Sequence, residues 1–429
     1  MLRWLTQKLN PMPKPKVIVI AGTTGVGKSQ LSIQIASHVS GEVINSDSMQ
    51  VYKGVPIITN KHPVLERNNV SHHVMNHVNW DEEYYLHRFE KECLSAIEEI
   101  HSRGKIPVIV GGTHYYLQIL LSKRVDQKTR VPTTDEQAIL DSNDSDAVYG
   151  VLQKIDPSIA AKYHPNDTRR VRRMLEIYYT TGQRPSETFA GQKNTLKFDT
   201  LFYWIYSKPE TLEPRLDSRV DQMMDAGALS ELEQLFEFYK NHIYTQDDCE
   251  HGVWQVIGFK EFLAWLEKTP GASFDLSVDR MKLRTRQYAK KQVKWIKKML
   301  LPDVKDHLFV LDATDLQKWD QNVAARAMAI VDKFIVSQPI AEEHAPPTLS
   351  GLLIDDLSGT SSPKAEKDWN QYVCHTCRDK EDKPLLAIGD KNWQVHLKSR
   401  RHRTNSTRAK RQKQHQQWKE NKLESSSFG

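Results

Sequence analysis

Apolar residues in this chain fall into two kinds of run. Short unbroken runs rich in β-branched residues alternate with longer stretches of helical spacing. Val17 to Ala21 (VIVIA) closes at Gly22 and predicts a strand buried on both faces. Ser29 to Val39 then places Leu31, Ile35 and Val39 at helical intervals. Glu42 to Asn45 predicts a second strand, Tyr84 to His101 a helix stopped at Gly104, and Ile106 to Val110 a third strand closed by Gly111-Gly112. Thr200 to Tyr206 and Leu308 to Leu311 predict two more strands. Strands alternating with helices in this way predict an α/β fold built on a doubly wound parallel sheet.

From about Tyr115 to Leu196 the rhythm breaks. That stretch carries helical patterns, such as Val171 to Tyr179, and no strand pattern, so 115–196 reads as a helical insertion between core segments 17–114 and 197–336. Leu212 to Tyr239 and Ser277 to Leu301 read as long helical stretches. Residues 337–367 are rich in Pro, Ser, Gly and acid and read as a linker, 368–403 as a small module, and 404–429 as a basic, glutamine-rich tail.

Hydrophobic residues make up 39% of the 429 positions, enough to bury a core, which excludes wholesale disorder. No stretch reaches the ~18 apolar residues of a membrane span, and no membrane association is expected. The formal charge of +6 hides its own distribution. Ten Lys/Arg and no acid lie between Lys391 and Lys419, and nine more, again without an acid, between Arg280 and Lys298. Without the first block the charge is −4; without both it is −13. An acidic-to-neutral body with two basic blocks points to a polyanion partner, nucleic acid first, or to solvated charged faces. Four cysteines and no secretory signal fit a reducing compartment. Residues 1–16 lack acids and place Leu2, Trp4, Leu5 and Leu9 opposite Arg3 and Lys8, which reads either as a short mitochondrial presequence, with Met12 as an alternative start, or as an unstructured leader.

Gly22-Thr23-Thr24-Gly25-Val26-Gly27-Lys28-Ser29 matches G-x4-G-K-[ST] between a predicted strand and a predicted helix. The glycines let backbone N–H groups converge on phosphate oxygens, Lys28 supplies a cation to the terminal phosphate, and Ser29 can ligate Mg²⁺. The motif specifies a phosphate chain, not its hydrolysis. Asp47, just past the second strand, falls where this fold places its chemistry. It suits a general base, an outer-sphere magnesium partner or a turn cap.

Seven elements then occur in order: the phosphate loop; Asp47-Ser48-x-Gln50-x-Tyr52; Gly111-Gly112-Thr113-x-x-Tyr116; Asn166-Asp167-x-x-Arg170-x-x-Arg173; Arg219-Val220-Asp221-x-Met223-x-x-x-Gly227-Ala228; Gln255-x-Ile257-Gly258-Phe259-Lys260-Glu261; and Arg284-x-Arg286-Gln287-x-Ala289-Lys290-Lys291-Gln292. Together they resemble the tRNA dimethylallyltransferase (tRNA isopentenyltransferase) family over about Val17 to Asp312, in its eukaryotic, fungal form with a C-terminal zinc finger. The resemblance implies transfer of a dimethylallyl group from dimethylallyl diphosphate to N6 of the adenosine 3′ of the tRNA anticodon, adenosine 37, with release of diphosphate. It implies Asp47 as the base and Thr24, Lys28 and Arg219 as stabilisers of the departing diphosphate, which Gly22 to Ser29 and Arg219 bind with Mg²⁺ on Ser29. It places Asp47, Ser48, Met49, Gln50 and Thr113 against the flipped adenosine. Arg170, Arg173, Arg284, Arg286, Gln287, Lys290 and Lys291 are then expected on the anticodon stem-loop. A monomer is expected, in cytoplasm and mitochondrion and also the nucleus. A P-loop nucleotide kinase, a nucleotide-gated RNA-binding protein without catalysis and an isopentenyltransferase acting on a free nucleotide are the competing readings. The kinase does not explain Arg280 to Lys298 or the C-terminal module, the basic elements and the length argue against the free-nucleotide enzyme, and the RNA-binding protein differs by retaining tRNA without transfer.

Cys374-x2-Cys377-x18-His396-x5-His402 has the spacing of a Cys2His2 zinc site. His375, inside the Cys pair, is the competing ligand. The tail from Lys398 to Lys413 suits RNA contact or a nuclear localisation signal. His72, His73 and His77 are close in sequence but have no acid or Cys nearby to complete a metal site, and read as packing or turn residues.

Overall fold

A computed structural model describes residues 14–121, 130–190, 195–242, 249–354, 369–379 and 382–426. The leader, apart from Lys14 to Lys16, and residues 355–368 lie outside them. The chain divides into two compact units, Met1–Ser122 with Asn194–Ser358, and Lys123–Lys193 with Gly359–Gly429.

The elements run β1 (Lys16–Gly22), α1 (Lys28–His38), β2 (Glu42–Asn45), β3 (His72–His73), α2 (Leu86–Ser102) and β4 (Pro107–Val110). The insertion follows with α3 (Thr134–Asp141), α4 (Ser145–Ile155), α5 (Pro157–Ala160), α6 (Thr168–Thr181) and α7 (Pro185–Ala190). Then come β5 (Asp199–Tyr206), α8 (Pro209–Asp225), α9 (Ala228–Asn241), α10 (Phe259–Leu266), α11 (Phe274–Trp295), α12 (Leu301–Val304), β6 (Leu308–Asp312) and α13 (Arg326–Ile335). The C-terminal module holds β7 (Gln371–Arg378), β8 (Pro384–Ile388), α14 (Asp390–Leu397) and α15 (Arg400–Ser426).

In the first unit six parallel strands lie in the order β3-β2-β4-β1-β5-β6. Alternate side chains of β1 enter different layers. Val17, Val19 and Ala21 pack with Phe89, Ile97 and Ile100 of α2. Ile18 and Ile20 pack with Leu31 and Ile35 of α1 and Leu212 and Leu216 of α8. Both faces are therefore dry, which is why β1 reads as an unbroken apolar run. A third cluster joins α9 and α10 to Val51, Tyr52, Val55 and Ile58. The second unit has its own core, with Val148 and Leu152 of α4 against Val171 and Leu175 of α6.

Four boundaries differ from expectation. Leu212 to Tyr239 is two helices, because Gly227 takes a left-handed φ of 103° between them. The insertion starts later than Tyr115, since Tyr116, Leu117 and Leu120 are buried in the first unit's core. The linker reading is corrected over its first half: Ala345 and Leu349 are buried there too, and the Val310 amide donates to the His344 carbonyl. The tail beyond residue 403 continues in α15. The edge strand β3 has no counterpart in the sequence pattern, because two half-buried histidines carry no strand periodicity.

His72, His73 and His77 are structural. His77 pairs with Glu92, and the His72 ring lies 2.8 Å from the Val70 carbonyl. His73 helps to hold Glu42, a buried carboxylate that also accepts from Arg103 and Lys105 at 2.7 and 2.8 Å. Burial opposes its ionisation, but the hydrogen bonds from Arg103, Lys105 and His73 outweigh that and hold the carboxyl at about 2. Glu42→Ala should destabilise the protein by about 2–3 kcal/mol at pH 7, since three donors lose their acceptor while two of them still reach water. A carboxyl depressed in the folded state stabilises fully above its unfolded value of ~4.3. The difference between wild type and variant should therefore shrink as pH falls from ~4.3 towards about 2, and a difference unchanged between pH 7 and pH 3 in chemical denaturation would contradict this.

Candidate active site and zinc module

The phosphate loop opens where β1 ends, beside the ends of β4 and β5. Its glycines are required by space as well as conformation. Gly27 takes a φ of 88°, and a Cβ there would meet the Trp319 ring at 2.5 Å. A Cβ on Gly25, at φ 77°, would meet Leu216 at 2.6 Å. Lys28 donates to the Thr23 carbonyl at 2.7 Å. Burial lowers its ammonium to about 8, with Asp47 opposing that shift and Arg219 adding to it. His114 lies under the loop, its Nε2 3.0 Å from the Gly22 carbonyl. Burial and the charge of Lys28 lower its value to about 3, so the ring is neutral.

Asp47 stands on the neighbouring wall, just past β2. Its carboxylate accepts from the Met49 amide at 3.0 Å, and its own amide donates to Asn45 Oδ1 at 3.0 Å, which fixes the turn. Burial raises the Asp47 carboxyl above its ordinary value, against backbone amides and Lys28, which favour the charged form. The Ser48 amide donates to Thr113 Oγ1 at 3.0 Å, joining the β2 turn to the turn after β4.

Arg219 reaches the same cavity from α8 and donates to Asn60 Oδ1. Burial lowers its value. The segment from Val55 to Lys61 forms a further wall. Val55 and Asn60 both have positive φ, and the turn is held by Glu231, which accepts the Ile57 and Ile58 amides, and by Lys61, which donates to the Tyr52 and Gly54 carbonyls. Helix α11 closes the remaining side. Gln292 accepts from the Thr24 amide at 2.9 Å and donates to the Gly112 carbonyl at 3.0 Å, and Tyr288 donates to the same carbonyl at 3.2 Å. The resulting cavity, about 520 Å³, has the phosphate loop, Asp47 and Arg219 on its polar side and Ile58, Val220, Val256, Ile257 and Met281 on its apolar side.

Thr24, Lys28, Ser29, Asp47, Ser48, Met49, Gln50 and Arg219 all line this cavity; Thr113 holds its wall through Ser48. The basic residues of α11 face elsewhere, and their charge is partly offset. Lys282 pairs with Asp221, Arg286 with Asp217 and Lys290 with Glu213, all acids of α8, while Arg284 pairs with Glu261 of α10. Gln287 and Lys291 are exposed. The run at 280–298 holds no acid of its own, but acids distant in sequence share its surface. In the second unit Arg170 and Arg173 pair along α6 with Asp167 and Glu176.

The structure adds residues that motif reading passed over as site residues: Gln292, Tyr288, His114, Asn60 and Lys61. A signal for two of them existed. Met281, Thr285, Tyr288 and Gln292 recur at helical spacing, the pattern of an inward face, although Gln292 sits in a run of lysines.

Also in the second unit, Cys374, Cys377, His396 and His402 bring their ligand atoms within 4.8 Å of one another. The His402 Nδ1 lies 3.5 and 3.7 Å from the two sulfurs and 3.2 Å from His396 Nε2. A tetrahedral zinc with Zn–S about 2.3 Å and Zn–N about 2.0 Å sets ligand separations of about 3.5 Å for S and N and about 3.3 Å for N and N. The residues fit zinc. Asn405 donates to Cys377 Sγ at 3.4 Å, a second layer of support, and His375 is exposed outside the group. Within this unit the module sits on the insertion through Gln371 to the Tyr149 hydroxyl and Lys383 to Asp146, both 2.7 Å.

Residues 50–299 match the family described as IPP transferase. The chain belongs to that family. It is 60% identical over 414 residues to the tRNA dimethylallyltransferase of Saccharomyces cerevisiae, covering 95% of this chain and 96% of that protein. Against the tRNA dimethylallyltransferase of Homo sapiens it is 33% identical over 421 residues, 90% of this chain and 85% of that one. A solved structure of a eukaryotic dimethylallyltransferase acting on tRNA matches with a TM-score of 0.88 at 60% identity, over 94% of this chain and all of that one (100%). The tRNA isopentenylpyrophosphate transferase of Bacillus halodurans matches at 0.53 and 30% identity, over 76% and 96%. Arg219 and all of α11 lie within the span matched to the family, while the phosphate loop and Asp47 precede it.

The zinc geometry predicts that the purified full chain carries a single bound zinc. Cys377→Ser should lose the metal, and with it the protection of residues 369–426 from limited proteolysis, because a structural site supplies the folding energy of so small a module. Retained protection in a metal-free variant would argue against a structural site.

Proposed function

We propose that this chain, acting as a monomer, transfers a dimethylallyl group from dimethylallyl diphosphate to N6 of adenosine 37 of tRNA. The observation that carries this reading is the placement of Asp47 in one cavity with the phosphate loop and Arg219, opposite an apolar wall. The loop amides, Lys28 and Arg219 hold the diphosphate, and the apolar wall accommodates the five-carbon group. An exocyclic adenine amine is a weak nucleophile, because its lone pair is delocalised into the ring. As the N6–C1 bond forms and the C1–O bond breaks, the electron pair of the latter leaves with the diphosphate and the N6 proton passes to Asp47. Stabilising the departing anion is the main electrostatic task, and Thr24, Lys28 and Arg219 are placed for it.

Ser29 beside Lys28 offers a hard oxygen donor that fits Mg²⁺ completed by water and phosphate oxygens, with the Asp47 carboxylate at the same cavity outside that donor set and free to take the proton. Bound there, Mg²⁺ would neutralise charge on the diphosphate. The base must leave its stack to reach Asp47, and Ser48, Met49 and Gln50 flank that point. Arg170, Arg173, Arg284, Arg286, Gln287, Lys290 and Lys291 are proposed to hold the anticodon stem-loop, the arginines and lysines exchanging carboxylate partners for phosphates. The same activity is proposed for cytoplasm and mitochondrion, with the basic helix α15 also serving nuclear entry.

Incubation with labelled dimethylallyl diphosphate and unmodified tRNA tests the reaction: label should appear on adenosine 37, and tRNA bound without transfer would refute it. Asp47→Ala should lower kcat by at least ~100-fold, the usual scale for a general base, and near-normal turnover would remove Asp47 from that role. The pH profile of kcat/KM for the donor should rise as Asp47 loses its proton, at a value raised by burial, and fall as Lys28 loses its own near 8. The alkaline limb should be absent from kcat, because bound diphosphate holds the lysine proton; an alkaline limb of equal position in both parameters would exclude Lys28 as its source.

A further inference from the structure

We infer that Gln292 is a specificity-determining residue that limits the phosphate loop to two phosphates. The inference rests on the diphosphate reading above and deepens it. A loop of this type offers backbone amides to the inner phosphates, while its lysine reaches the outer ones. A third phosphate extends past the lysine, towards the end of the strand next to the loop. Here that strand is β4, and the turn after it is Gly111-Gly112.

That end is closed by protein. The Thr24 amide already donates to Gln292 Oε1 at 2.9 Å. The other end of the same carboxamide donates to the Gly112 carbonyl at 3.0 Å. Gln292 is 4% exposed, so water does not compete for either bond. The packing is tight: a Cβ on Gly112 would stand 2.7 Å from Gln292 Nε2 and 3.1 Å from Asp47 Oδ2. Tyr288, one helical turn earlier, donates to the same carbonyl at 3.2 Å and thereby fixes the turn that Gln292 holds. A third phosphate would have to break two buried hydrogen bonds, displace the carboxamide and stand beside the Asp47 carboxylate. Two phosphates on Lys28 and the amides from Gly25 onward meet none of these obstacles.

The carboxamide thus does for this loop what a steric stop does for an apolar pocket, with an added electrostatic term from Asp47. It also explains why a polar residue occupies an inward position of α11: a hydrocarbon of equal size would leave the Thr24 amide without this acceptor and available to an anion.

Calorimetric titration of the full chain with inorganic pyrophosphate and inorganic tripolyphosphate, both with magnesium, tests this. Wild type should bind pyrophosphate at least ~10-fold more tightly than tripolyphosphate, and Gln292→Ala should reduce that preference by ~10-fold or more, the scale of one charge-assisted hydrogen bond made available. Gln292→Asn withdraws the acceptor from Thr24 while keeping an amide in place, and should shift the preference in the same direction should the alanine variant fail to fold. A preference unchanged in a folded variant overturns the role of Gln292 and leaves the diphosphate site standing. Affinities for both anions that rise in parallel also overturn it, because the amide would then serve the second phosphate. Absence of pyrophosphate binding by wild type overturns the diphosphate reading and this inference together.

Discussion

Parallel strand pairing is the constraint on which the site depends. Because β1 lies between β4 and β5 and all six strands run the same way, their C-terminal ends share one edge. Three turns open at that edge: the phosphate loop, the Asp47 turn and Gly111-Gly112. None has the chemistry alone. Their spacing is set by backbone contact, since a Cβ on Gly111 would lie 2.3 Å from the Ser46 carbonyl carbon and one on Gly22 2.6 Å from the Ile205 oxygen. Any side chain at either position would push neighbouring strand ends away from each other, and with them the phosphate loop from Asp47.

Strands of the central sheet were legible because burial on both faces leaves an unbroken apolar run, and Val17 to Ala21, Ile106 to Val110 and Thr200 to Tyr206 all have it. His72–His73 was not legible, since its pairing depends on Val43 and Ile44 of β2 and not on its own composition. The same division runs through the site. Gly22 to Ser29 is contiguous, so local spacing reveals it. The wall from Val55 to Lys61 is held by Glu231, which lies 174 positions beyond Ile57, and Asn60 meets Arg219 from a different helix. Contacts of that kind leave no trace in local periodicity. The linker reading failed for a related reason: a Pro- and Ser-rich stretch has the composition of a tether, yet Ala345 and Leu349 are buried in the core and the His344 carbonyl accepts from Val310 of β6.

Charge shows the limit of reading along the chain most clearly. A run of nine bases without an acid looks like an unopposed field, but α8 lies against α11 and brings Glu213, Asp217 and Asp221 to Lys290, Arg286 and Lys282. Pairs that keep one or both partners partly in water contribute little to stability, about 1 kcal/mol each. Their carboxylates are therefore cheap to replace by phosphates, and a polyanion that displaces them meets preordered side chains. The paired state lowers the positive potential seen by stray anions while keeping the guanidinium and ammonium groups in place.

Helix α11 carries three demands at once, and its period is what keeps them apart. Met281, Thr285, Tyr288 and Gln292 turn inward, Lys282 and Arg286 turn towards α8, and Lys291, Lys294 and Lys298 lie on the outer side of the helix and its continuation. A shift of one residue rotates the helix by about 100°. Moving the register by one position would bring Lys291 or Val293 to the place of Gln292. Lysine there would pair with the Asp47 carboxylate. Valine would strand the Thr24 amide. The high density of bases around Gln292 is therefore compatible with a working site only because no basic residue shares its face, and the inward face is specified more strictly than the outward one, where arginine, lysine and glutamine can interchange without touching the phosphate loop.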